Sequence, residues 1–115
     1  MTELSRIGLL AELPGELLLK LAQRMRREEV AAGRPLVIEG EEGDRFYVVL
    51  SGLLNVTQAD RGERRMLKPG DYFGEVALAM DVPRTASVIA MTPATLASCD
   101  RATFDELIRP QFTAD

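Results

Sequence analysis

Histidine is absent from this 115-residue chain. That absence excludes histidine-metal chemistry of the cupin kind, Ser-His-Asp triads and Cys-His pairs. Cysteine occurs once, as Cys99, so neither an intrachain disulfide nor a cysteine-based metal cluster can form. A single thiol suits a reducing, cytoplasmic compartment. Cys99 follows TLAS in an apolar run and reads as a buried structural thiol. No apolar run approaches the roughly 20 residues of a membrane-spanning helix, so no membrane insertion by this chain is expected. The start, MTELSRIGLLAEL, lacks a basic stretch and a small-residue cleavage site and is not a signal peptide. Low complexity, internal repeats and linkers are also missing. The net charge is −4 and the pI near 4.9. A nucleic-acid surface would need a basic stripe. The nearest approaches, RMRRE at Arg24–Glu28 and RGERR at Arg61–Arg65, are short and broken by acids. They read as solvated faces, and no direct nucleic-acid binding is expected.

What remains is an ordinary globular composition, 46% apolar and 28% charged. Its length fits one domain, residues 1–115, able to bury about two-thirds of its unfolded surface. N-terminal helices are expected over about 3–26. Leu4, Ile7 and Leu10 share one side of the first. Pro14 suits the first turn of a second, where Leu17, Leu18, Leu21, Ala22 and Met25 form a stripe that packs on the rest of the domain. Then the period changes. Glycines punctuate short β-prone runs: LVIEG after Pro35, FYVVL at Phe46–Leu50, LLNVTQ at Leu53–Gln58 and RRMLK at Arg64–Lys68. ASVIAM at Ala86–Met91 and TLASC at Thr95–Cys99 continue the series. Such spacing predicts an antiparallel β-roll or jelly roll over about 28–100. Ser51-Gly52 and Ala59–Glu63 read as hairpin turns. A C-terminal helix is expected over about 101–110, capped by Asp100, with Phe104, Leu107 and Ile108 on one face and Pro110 stopping it.

The segment FGEVALAMDVPRTASV, Phe73–Val88, carries the chemistry. Gly74 to Ala79 reads as a short helix entered from a strand, with free N–H groups that suit an anion. Gly74 and Ala77 allow close approach to the backbone. Arg84, stiffened by Pro83, offers a planar fork matching two phosphate oxygens, and Thr85 adds a hydroxyl. Glu75 would repel an anion, so it is better explained as an acceptor for hydroxyl donors such as those of ribose. Val76, Leu78 and Val88 would supply an apolar wall. On residue types alone a second account stays open, in which Glu75 and Arg84 simply pair with each other.

The stretch GDYFGEVALAMDVPRTASVIA resembles the phosphate-binding cassette of the cyclic nucleotide-binding domain family. The F-G-E-x-A-L start, the P-R-T-A end and the spacing between them carry the match. EGEEGDRFYVVLSGLLNV resembles the family's early strands and LLAELPGELLLKLAQRM its N-terminal helices, so the likeness covers nearly the whole chain. The resemblance implies a mainly β fold, a double-stranded β-helix with flanking helices and a cassette at 73–88. It implies that Gly74 and Ala77 give backbone contacts to the sugar-phosphate, and that Glu75 accepts from the ribose 2′-hydroxyl. Arg84 would bind the exocyclic phosphate. Thr85 would contact the phosphate, or the amino group of a syn guanine. Val76 and Leu78 would set the wall and packing. The family also has a lid helix beyond the C-terminal helix. This sequence ends at Asp115, so either the lid belongs to a longer chain or the protein does without it. That bears on base selectivity and affinity and leaves the phosphate and ribose contacts in place. The helix-turn-helix found downstream in bacterial members is not in the sequence.

The expected function is a non-enzymatic, cytoplasmic sensor that binds cAMP or cGMP, needs no cofactor or metal, and controls an attached or partner effector. A homodimer is compatible with it. Its rival is a module that keeps the roll for subunit contacts and pairs Glu75 with Arg84. The Arg, Ala and Leu content suggests a bacterial source.

Overall fold

A computed structural model of the chain describes residues 15–110, apart from the side chains of Leu18 and Arg64. Leu4, Ile7, Leu10 and Pro14 lie outside the described residues. The elements run α1 (Gly15–Arg24), β1 (Arg26–Val30), β2 (Pro35–Val37), β3 (Arg45–Ser51), β4 (Leu54–Gln58), β5 (Gly62–Leu67) and β6 (Tyr72–Phe73). Then follow α2 (Glu75–Met80), β7 (Ser87–Ala90), β8 (Ala94–Asp100), α3 (Arg101–Thr103) and a π turn (Phe104–Ile108). Two four-stranded antiparallel sheets result, ordered β1-β8-β3-β6 and β2-β7-β4-β5. The mainly β roll with flanking helices is the expected fold.

β3 explains why FYVVL is apolar throughout rather than alternating. Its sheet is buried on both faces. Phe46 and Val48 point to one core with Leu21, Leu78, Cys99, Phe104, Leu107 and Ile108. Tyr47 and Val49 point to the other with Val37, Leu54, Leu67, Phe73, Val88 and Leu96. β8 divides the same way, Ala97 and Cys99 to the first core and Ala94 and Leu96 to the second. Fully burying each large side chain contributes about 1.5–3 kcal/mol, so the two cores together hold the roll. The α1 stripe packs as expected: Leu21 is fully buried, and Leu17, Ala22 and Met25 lie against the first core.

Several boundaries and turns differ from the sequence reading. α1 ends at Arg24, and part of RMRRE is β1, whose Glu28 accepts from the Ser98 hydroxyl of β8. Ala59–Glu63 is the hairpin turn expected, with Gln58 opposite Gly62. Ser51-Gly52 is not. β3 and β4 belong to different sheets, and the chain crosses between them. Gly52 makes the crossing at φ +90, so close to the Pro93–Ala94 backbone that a Cβ would sit 2.5 Å from the Pro93 carbonyl. Asp100 caps α3, its carboxylate accepting from the Thr103 N–H at 2.9 Å. Phe104, Leu107 and Ile108 share the buried face, but through a π turn rather than an α-helix.

Candidate functional site

β6 delivers the chain to Gly74, which adopts φ 93 and ψ −6. A side chain there would be strained by the left-handed backbone and would meet the Arg45 carbonyl at 2.8 Å and Arg84 Nη1 at 3.0 Å. Glycine is therefore required twice over. α2 follows and stops at Asp81, also left-handed (φ 54), whose N–H donates to the Ala77 carbonyl. The return limb is pinned at Arg84: its N–H donates to Glu41 O at 2.8 Å, and its carbonyl accepts from Gly40 N at 2.9 Å. Gln58 Nε2 donates to the Thr85 carbonyl at 2.8 Å, and β7 then pairs with β4.

These constraints enclose a cleft of about 180 Å³. All six residues singled out in the sequence line it: Gly74, Glu75, Val76, Ala77, Arg84 and Thr85. Ala77 and Arg84 are buried, Gly74 and Glu75 half-buried, and Val76 and Thr85 exposed. Val88 joins the wall, as expected. Leu78 does not. It is fully buried in the first core, on the opposite side of α2, because a helix one and a half turns long can show the cleft only one face.

Arg84 is 7% exposed, yet among the described residues no carboxylate neutralises it at contact distance. Its Nη1 donates to Gly74 O at 3.3 Å and its Nη2 to Arg45 O at 3.0 Å. Guanidinium carries five N–H donors, so these bonds aim the group and leave donors over. Among the described residues no ion pair joins Glu75 to Arg84, and the simple pairing account fails. Burial pushes the Arg84 pKa down, opposed by Tyr47, Asp44 and Glu75. Burial pushes the Glu75 carboxyl up, opposed by its own backbone N–H, by Arg65, by the Val76 N–H and by Arg84. Each charge is partly stripped of water, and among the described residues neither is in an ion pair, an arrangement found at binding sites.

Four contributors escaped the sequence reading. Val37, Val56 and Ala86 extend the apolar wall, and Arg65 stands at the rim. In the sequence Arg65 belongs to a charge run that reads as a solvated face. It is exposed, but the β4–β5 register sets it opposite Val56 and so beside the cleft. A fifth residue, Gly43, backs the site: a Cβ there would fall 2.7 Å from Ala77 Cβ and 2.8 Å from Arg84 Cζ. The glycine-rich EGEEGD run was the available signal, though not its target.

The cyclic nucleotide-binding domain family model matches residues 27–111. A cAMP-dependent protein kinase regulatory subunit of Yarrowia lipolytica is 44% identical over 92 residues, covering 79% of this chain and 24% of that protein. The cGMP-dependent protein kinase egl-4 of Caenorhabditis briggsae is 38% identical over 111 residues, covering 91% of this chain and 15% of that protein. The chain thus spans a quarter or less of either relative. The regulatory domain of Toxoplasma gondii PKA, solved with cAMP, matches with a TM-score of 0.92 at 31% identity, covering 96% of this chain and 44% of that one. These relatives are eukaryotic and lend the suggested bacterial source no support. A family model that spans both sheets and the cassette, on a roll that superposes on a solved family member, leads to one statement: this chain belongs to the cyclic nucleotide-binding domain family.

Proposed function

We propose that this chain binds cAMP or cGMP in the cleft and serves as the ligand-responsive module of a protein kinase regulator. The observation that carries the reading is Arg84: a buried guanidinium aimed by two carbonyls, with donors to spare and no contacting carboxylate among the described residues. An exocyclic phosphate would supply the missing charge. Gly74 and Ala77 would allow the sugar-phosphate close to the backbone, Thr85 would add a hydroxyl, and Glu75 would accept from the ribose. Val76 and Val88 would cover the apolar edge. The chain itself would do no chemistry and need no cofactor. Its effector would be a kinase domain, attached or separate, in the cytoplasm. Ligand would act by favouring one of two arrangements of the flanking helices, in proportion to its differential affinity for them.

Calorimetric titration of wild type and Arg84→Ala with each nucleotide tests this. Wild type should bind at least one. Loss of a charge-assisted contact should cost roughly 1.5–3 kcal/mol, about ten- to a hundredfold in affinity. A wild type that binds neither nucleotide would overturn the reading in favour of a structural module.

A further inference from the structure

α2 ends without a cation of its own. Its last turn holds no basic residue, and the final carbonyls of a helix lack intrahelical partners. The donors come from the far end of the chain. Arg109 donates from Nη2 to Leu78 O at 2.7 Å and from Nη1 to Ala79 O at 2.9 Å. Arg101 donates from Nη1 to Leu78 O at 3.4 Å and from Nη2 to Gly43 O at 3.1 Å. Gly43 is the residue that backs the Arg84 guanidinium. Two arginines of the C-terminal helix thus hold both the far end of the cleft helix and the loop behind Arg84.

Arg109 is itself aimed by the π turn. Asp105 accepts from its Nε at 2.9 Å, and its guanidinium lies 5.7 Å from the Phe104 ring centroid. A π turn closes its bonds one residue later than an α turn and recurs at functional sites. Each α-helical residue advances about 100° around the axis. Converting Phe104–Ile108 to α geometry would therefore swing Arg109 by about that angle and take it off the Leu78 and Ala79 carbonyls. The π arrangement seen here grips α2 through Arg109, and an α-helical one would not.

α2 is a short rigid piece of six residues. Its first residue, Glu75, faces the cleft, and its last carbonyls meet Arg109. We propose that Arg109, with Arg101 beside it, is the positioning residue that couples occupancy of the cleft to the arrangement of the C-terminal helix. The coupling rests on the cyclic nucleotide reading of the cleft. A ligand that fixes α2 holds the two carbonyls in place and favours the π arrangement. By reciprocity, losing the grip weakens ligand binding by the same factor.

The same helix carries a natural control. Glu106 accepts from Lys20 Nζ at 2.6 Å and Arg24 Nη1 at 2.7 Å, tying the helix to α1 rather than α2. Hydrogen exchange over residues 101–110 would be followed with and without saturating cAMP, or cGMP if that binds tighter. The proteins are wild type, Arg109→Gln, Arg109→Lys and Glu106→Gln. In wild type the ligand should slow exchange about fivefold or more, the lower end of ordinary coupling. Arg109→Gln should lose most of that slowing. Arg109→Lys, which keeps a charged donor, should retain part of it, and Glu106→Gln should retain all. An Arg109→Gln protein with the wild-type slowing overturns the coupling alone. So does a Glu106→Gln protein that loses as much as Arg109→Gln, because the arginine would then be one more structural contact. If wild type binds neither nucleotide in calorimetry, the nucleotide reading falls and the coupling falls with it.

Discussion

The two cores of the roll share strands β3 and β8 but treat charge differently. The helix-covered core sets Phe46, Val48, Leu78, Phe104 and Ile108 against one another, with Cys99 the one titratable group among its described buried residues. Burial pushes that thiol up to about 12, with Asp100 adding to the effect. The other core opens at its edge into the cleft, where Arg84 and Glu75 lie partly out of water without contacting each other. One side is closed and apolar. The other keeps two charges available for something else. Stability should therefore respond mainly to the first side and ligand affinity mainly to the second, with α2 serving both through Leu78 on one face and Glu75 on the other.

The largest expected effect tests the closed side. Phe104 is fully buried, and its ring centroid lies 5.5 Å from that of Phe46. Phe104→Ala should lower unfolding free energy by about 3–5 kcal/mol in urea denaturation. Val56→Ala, at a half-buried position on the cleft wall, should cost less than half as much. Equal losses would break the comparison. Cys99 gives a chemical version of the same test: a thiol held near 12 and fully buried should react with iodoacetamide only as fast as the core opens. Labelling as fast as a free thiol would mean that the core is not closed.

The next effect tests the open side. Gly74→Ala combines a left-handed backbone with contacts at 2.8 Å and 3.0 Å to Arg45 O and Arg84 Nη1. The backbone strain alone should cost roughly 1–2 kcal/mol of stability. Gly43→Ala has no such strain, but its Cβ would sit 2.8 Å from Arg84 Cζ. It should lower nucleotide affinity, because the guanidinium and, through Ala77 Cβ at 2.7 Å, the cleft helix must both give. Titration and denaturation of the same protein separate the loss of affinity from any loss of stability.

What could be read from the sequence divides along a physical line. The cassette is local. Gly74, Glu75, Ala77 and Arg84 stand within one short loop-helix-loop, so residue types suggested a pocket and the resemblance to the family's cassette favoured it over a simple Glu75–Arg84 pair. Arg65 is brought to the cleft by the β4–β5 register, and nothing near it in the chain announces that. Leu78 was misplaced for a related reason: a six-residue helix has a cleft face and a core face, and only its setting against Leu21, Phe46 and Phe104 says which is which. RREEV escaped notice as β1 because it is an edge strand with outward charges, the usual protection against further pairing. Ser51-Gly52 looks like a hairpin turn. Whether a turn returns to the same sheet or crosses to the other depends on what it packs against, here the Pro93–Ala94 backbone.

The smallest effect sharpens the comparison through two glutamates. Glu75 has its folded pKa raised above the ordinary value of 4.5, chiefly by burial. The folded state then holds the proton more tightly than the unfolded state. Its contribution to stability is present below pH 4.5 and is lost as pH rises through the raised value. Glu106 behaves in the opposite way. The hydrogen bonds from Lys20 and Arg24 lower its pKa to about 2. Its contribution is present above pH 4.5 and is lost as pH falls towards 2. Glu75→Gln should therefore raise the stability of the free protein at neutral pH relative to wild type. Glu106→Gln should lower it slightly, and less so in high salt, because that carboxylate is solvated. Urea denaturation from pH 3 to 8 would show the two difference curves bending in opposite senses. If the Glu75→Gln curve instead followed the Glu106→Gln curve, the cleft carboxylate would be stabilised where it stands. It would then not be held out of water for a hydroxyl donor to satisfy, and the contrast between the closed and open sides would lose its clearest electrostatic support.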